Sequence, residues 1–203
     1  METVDGNTAM ENQERTFIEP TLKKFFRAFQ VVSPLNLVTW LVRRFKIIWS
    51  PTRLVVEVYV TFWLVCLLVL AWAIGIAGSL PALLLLVIIW RLLDISQAWF
   101  HTFLKHRVKA LSPVRSLALA TMNYFELFII FGILAYQFRT DNFYPSFVTI
   151  TESLRYSIGV ITAMGSKFDP ASVLGGLLYY GEIAFGLGFL VVIVTRILTL
   201  FKE

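Results

Sequence analysis

Cysteine is nearly absent. Cys66, the single one in the chain, lies inside an apolar stretch, which excludes a disulfide framework and a thiolate metal site. Histidine is almost as scarce: His101 and His106 both sit in a basic segment. No Ser-His-Asp set, metal-spaced cluster, phosphate-binding glycine loop or pair of carboxylates accompanies them. An enzyme is therefore not expected, nor a resident cofactor or metal. Charge is the third scarcity. Asp, Glu, Lys and Arg make up 15% of the residues against 58% hydrophobic ones, whereas soluble domains carry about a quarter charged residues. The mean hydropathy of +0.74 leaves no soluble domain to bind nucleic acid, in spite of a net charge of +5. The start of the chain, Met1 to Asp5, is acidic and polar. It lacks the basic start and short apolar core of a signal peptide, so the first true span is expected to direct insertion.

What is present is a succession of long apolar segments separated by basic clusters, the pattern of an all-α integral membrane protein. Residues 1–16 are polar and are read as disordered. Over 17–53, phenylalanines alternate with Lys23, Lys24, Arg27, Arg43, Arg44 and Lys46. This region is too charged to span and too apolar for water, so basic amphipathic helices lying on the membrane interface are expected, in contact with lipid. From Val58 to Trp90 no charged residue occurs. As one helix this run would measure about 50 Å, against a hydrocarbon core of about 30 Å. Gly78 and Pro81 in "GSLP" mark the break. A transmembrane hairpin over 54–101 follows, with spans of 54–77 and 82–101. Arg91 and Asp94 share one face of its second helix and are expected to pair. Residues 102–115 form a basic loop. A third span is expected over 116–137, with Glu126 in its middle, packed or paired to Asn123 or a neighbour. A fourth covers 171–197 with Glu182. Four crossings put every basic segment on one side, hence both termini in the cytoplasm and the chain in the cell membrane.

The connection between the third and fourth spans, 138–170, is long beside the usual helix-to-helix loops of about two to eight residues. It opens on the polar turn "RTDNFYPS" and continues with a short apolar helix over 147–161. That helix is too short to cross and too apolar for solvent, which predicts a re-entrant segment within 146–170: a half-helix and an extended return. An extended backbone is tolerated at membrane depth where protein surrounds it or where it lines a water-filled path.

"ESLRYSIGVITAMGSKFDP", residues 152–170, resembles the pore helix and selectivity filter of the potassium-channel superfamily. Glu152 falls on the acidic start of that pattern. Leu154, Tyr156, Ser157 and Ile158 fall on similar residues, Thr162 on the first threonine of "TTVGYG", Met164 on its valine and Gly165 on its first glycine. The last span resembles the pore-lining inner helix, with Glu182, Gly186 or Gly188 as hinge or packing residues and Arg196 at the cytoplasmic end. The likeness covers about 116–200. It implies a two-pass pore domain over 116–203 assembled as a homotetramer, with Thr162, Ala163, Met164, Gly165 and Ser166 lining the filter and a permeant monovalent cation, K+ or Na+. Three positions depart from the pattern. Ala163 replaces the second threonine, Ser166 the bracing aromatic residue and Lys167 the second glycine. The implied channel has weak or altered selectivity, with Lys167 and Asp169 at its mouth; a tetramer would put four Lys167 ammonium groups there unless Asp169 pairs with each one. A regulatory partner would act at the N-terminal helices. The alternative is a non-conducting scaffold or partner subunit with a degenerate pore loop.

Overall fold

The computed structural model describes the backbone of residues 52–104 and 113–200. The disordered segment expected over 1–16, nearly all of the interfacial region 17–53 and the core of the basic loop 102–115 lie outside the described residues. Five helices and two short strands follow in order: α1 (Thr52–Ala77), α2 (Ala82–Leu104), α3 (Pro113–Gln137), β1 (Phe143–Tyr144), α4 (Ile150–Ile161), β2 (Asp169–Pro170) and α5 (Val173–Leu200).

Three of the described helices are long and apolar enough to cross a membrane: Val56–Ala77, Val114–Gln137 and Val173–Thr195. Their outer faces agree with that solvent. Phe62, Trp72 and Ile76 on α1 and Leu177, Tyr180 and Leu198 on α5 are exposed, which suits lipid and not water. The chain is membrane-embedded. α2 is not among the three; it carries Arg91 and Asp94 in its interior.

The α1–α2 hairpin turns where its glycine and proline stand. Gly78 adopts the left-handed conformation, φ +77°, and its N–H closes the last turn of α1 onto Ile74 at 2.8 Å. The Pro81 carbonyl accepts the first bonds of α2, from Leu84 and Leu85. Gln137 at the end of α3 clamps this turn, its Oε1 accepting from the Leu80 N–H at 2.9 Å, while Arg139 donates to the Gly78 carbonyl at 3.0 Å.

α3 is the central element and packs on α1, α4 and α5. Leu127, Ile130 and Ile133 along it are fully buried. The hairpin is fastened to α3 by a buried polar cluster. Arg91 donates to Glu126 at 2.7 Å, to Asp94 at 2.5 Å and to Asn123 at 3.2 Å, and the Tyr59 hydroxyl donates to Asp94 at 2.8 Å. The expected Arg91–Asp94 pair is present, and Glu126 bonds Arg91. At the far end of α2, the Trp99 indole N–H donates to the Gly188 carbonyl of α5 at 3.0 Å. Gly188 is where that ring lies: a Cβ there would meet it at 2.5 Å.

Candidate functional site

The site is built from α4, the chain that follows it and the face of α5 behind both. α4 has 12 residues, about 18 Å of helix, well short of a bilayer core of about 30 Å. Its start is set by a capping box, "TITE". The Thr149 hydroxyl accepts from the Glu152 N–H at 3.3 Å, and the Glu152 carboxylate reaches back to the Val148 N–H at 2.9 Å. The helix therefore begins at Ile150 rather than at Phe147. That spacing was visible in the sequence and marks the boundary better than hydropathy does.

α4 ends at Thr162, whose N–H bonds Ile158 at 3.0 Å while the Ala163 N–H bonds Val160 at 3.1 Å. Ala163 then takes φ +57° and Gly165 φ +86°, two left-handed residues that reverse the chain. A non-glycine residue in this region is costly and persists where its surroundings hold it. The holding contact is the Gly165 N–H, which bonds the Gly159 carbonyl at 3.2 Å.

From that point the chain runs back along α4 in extended form. Gly165 lies against Gly159, and the Lys167 ammonium reaches Glu152 at 3.7 Å. Phe168 packs on Phe147 with ring centroids 4.4 Å apart and on Tyr156 at 6.3 Å; Phe143 joins the same cluster. The two-residue ladder of β1 and β2, pairing Phe143 with Pro170 and Tyr144 with Asp169, closes the unit. Lys167 thus pairs with Glu152. An antiparallel return places the start of the helix beside position 167, a neighbour that local spacing does not disclose.

Every residue from Thr162 to Lys167 is exposed, Met164 by 83%. Among the described residues, no backbone carbonyl in this run accepts a hydrogen bond. The Gly165 carbonyl oxygen faces Gly159, where a Cβ would meet it at 2.3 Å; carbonyls without a hydrogen bond are hard oxygen donors of the kind that can coordinate a partly dehydrated monovalent cation. The C-terminal end of α4 adds its partial negative charge close by.

No family model, no curated protein and no solved structure matches this chain.

Behind the return, α5 holds the unit in place. The Ser157 hydroxyl donates to Glu182 in a short hydrogen bond, and both residues are buried. Glu182 is therefore a link between α5 and α4. α5 continues as unbroken helix through Gly186 and Gly188. Gly186 lets Ile161 approach, since a Cβ there would meet Ile161 at 2.8 Å. Both glycines serve contact in this conformation. Gly159 and Phe168, which position the return, were not singled out by the sequence reading. A glycine inside the last turn of a twelve-residue helix is the signal that would have found Gly159.

The Glu152 carboxyl is held below the usual carboxylate range, first by the Val148 N–H and further by the Thr149 N–H and the Lys167 ammonium. A depressed folded-state pKa contributes stability above the ordinary Glu range, lost as pH falls through the depressed value. Acidification is thus expected to fray the first turn of α4 and release Lys167. Hydrogen exchange of that turn, corrected for intrinsic rates, should rise as pH falls in the parent and stay flat in Glu152→Gln. Equal pH dependence in the two proteins would remove this role from Glu152.

Proposed function

We propose that this chain is the subunit of an ion channel of potassium-channel-like architecture: a homotetramer that passes monovalent cations, K+ or Na+, with weak or altered selectivity. In this reading each chain crosses the cell membrane four times, α2 included, with both termini cytoplasmic. The unit from 146 to 170 re-enters the membrane, and Thr162, Ala163, Met164, Gly165 and Ser166 line the path. The observation that carries the reading is the exposed return, whose carbonyls take no hydrogen bond within the described chain. At membrane depth such a backbone needs a water-filled path or bound cations to satisfy it. The half-length helix, the antiparallel return and the flanking helices α3 and α5 supply the frame. Lipid at the basic N-terminal region, or a regulatory partner there, would set the open probability.

The test is ion flux from the purified chain in liposomes, with the oligomer counted by mass. Cation flux from a tetramer, with chloride excluded, is the expected result; a folded oligomer that passes no ion under any condition overturns the proposal. Lys167 supplies a graded version. Its side chain is 70% exposed and its ammonium lies 3.7 Å from Glu152, so it adds positive potential at the mouth and partly cancels that carboxylate. Lys167→Gln is expected to raise cation flux several-fold, most at low salt, where screening is weakest. A fall in flux would remove Lys167 from the path.

A second reading, a non-conducting scaffold or partner subunit, is favoured by one observation, the same Lys167 cation at the mouth of a cation path. The flux measurement separates the two.

A further inference from the structure

We propose that copies of this chain meet head to tail through α4 and the return, with Arg155 of one copy paired to Asp169 of the next and Ile158 seated against the same neighbour's Ile183. The inference rests on the homo-oligomeric reading above and names the contact that builds the assembly.

Both charges are left over within one chain. Among the described residues neither Arg155 nor Asp169 takes part in an ion pair, and both are exposed. Lys167, two positions from Asp169, is engaged with Glu152. A guanidinium and a carboxylate without partners are costly at membrane depth, and each is the complement of the other.

The two groups lie on opposite sides of the unit. Arg155 belongs to an exposed stripe of α4, Thr151, Arg155 and Ile158, at the i, i+4, i+7 spacing of one helix face. Asp169 lines an open cavity of about 260 Å³ between the return and α5, with Val160, Phe168, Tyr179, Ile183 and Leu187. At about 100° per residue, Val160 stands about 140–180° around α4 from the three residues of the stripe. Stripe and cavity therefore meet between copies and not within one. Such a heterologous contact closes into a ring when its rotation allows.

Their depths agree as well, which copies arranged around an axis normal to the membrane require. Ser157 bonds Glu182, and Ile161 lies on Gly186 at the same 25-residue offset. α4 and α5 thus run in one direction, and Ile158 stands level with Ile183. Phe168 packs on Tyr156, which puts the adjoining Asp169 and Arg155 at one level. Charge meets charge and apolar meets apolar. Tyr179, one turn before Ile183, adds a ring on which a guanidinium stacks.

Cysteine cross-linking of the full chain in lipid tests this. With Cys66→Ser as background, Arg155→Cys plus Asp169→Cys is expected to give disulfide-linked ladders up to the whole oligomer, and co-expression of the two single-cysteine chains linked dimers only. A disulfide within one chain, or none in a folded oligomer, overturns the contact. Arg155→Asp or Asp169→Arg alone is expected to raise the concentration for half-assembly about tenfold or more, and the two together to return it to within about threefold of the parent. A double reversal no better than either single one overturns it too. Neither readout needs conduction: a monomeric parent removes the assembly reading with this one, whereas an oligomer that passes ions without these links removes this contact alone.

Discussion

Arg91→Ala is expected to destabilise the chain by about 3–5 kcal/mol, the usual cost of removing one partner from a buried ion pair. Arg91 is 2% exposed and its guanidinium is divided between Glu126, Asp94 and Asn123. It also lies over the Tyr59 and Trp63 rings at 5.0 and 5.6 Å. Truncation leaves Asp94 and Glu126, 7% and 0% exposed, without their cation. One oxygen of Glu126 already has no hydrogen-bond partner among the described residues, so nothing nearby can take over. The comparison that isolates the charge is the triple replacement Arg91→Met, Asp94→Leu and Glu126→Leu. Apolar substitution of a whole buried network is often neutral or stabilising, so this variant should regain most of the loss. Arg91→Lys should fall between, because an ammonium cannot serve several acceptors with a rigid fork. Thermal unfolding in detergent, followed by the loss of the monodisperse peak, reads all three. A single Ala variant within about 1 kcal/mol of the parent, the range of an exposed ion pair, would show that the cluster is not buried as described.

Gly159→Ala is expected to lower cation flux more than tenfold while leaving the helices folded. A Cβ at 159 would lie 2.3 Å from the Gly165 carbonyl oxygen, and the obstacle is backbone with no flexible end to swing aside. Relief requires the return to move by about 1 Å or more to reach normal contact distance, and the 3.2 Å bond from Gly165 to Gly159 is lost with it. Helix propensity acts in the opposite direction, since Ala is better than Gly in a helix interior by about 1 kcal/mol. The two effects therefore separate: α4 is not weakened, but the return is displaced. Gly181→Ala is the control, because a Cβ there meets nothing within 4 Å. Equal flux from Gly159→Ala and the parent, in a folded oligomer, would sink the assignment of the return as the path.

Much of the architecture was legible in the order of residues. The uncharged run from Val58 to Trp90 and the Gly78–Pro81 break lead directly to α1, α2 and their turn, because helix length and turn chemistry are local properties. The short helix before the return was legible as well, since an apolar run of that length suits neither a span nor a solvent loop. Its start is set by the Thr149–Glu152 capping box, three residues after the point where hydropathy begins it. Arg91 and Asp94 are visible as a pair at helical spacing, yet Glu126, the second carboxylate on Arg91, is on another helix. Nothing local in the sequence links Trp99 to Gly188, 89 positions away.

By itself, then, the sequence determined that this chain is helical and membrane-embedded, roughly where its helices start and stop, and that a short apolar helix lies in the long connection. Hydropathy, length and capping decide these, and all three act between residues a few positions apart. Tertiary structure alone decided the partners. It turned the chain after Thr162 back along α4, which brought Lys167 to Glu152. It made contact points of Gly159, Gly186 and Gly188, and it left a cavity behind Ser166. The physical reason is that packing distances are set by which helix faces meet in space, and a glycine or a charge carries no mark of the distant group that will lie against it.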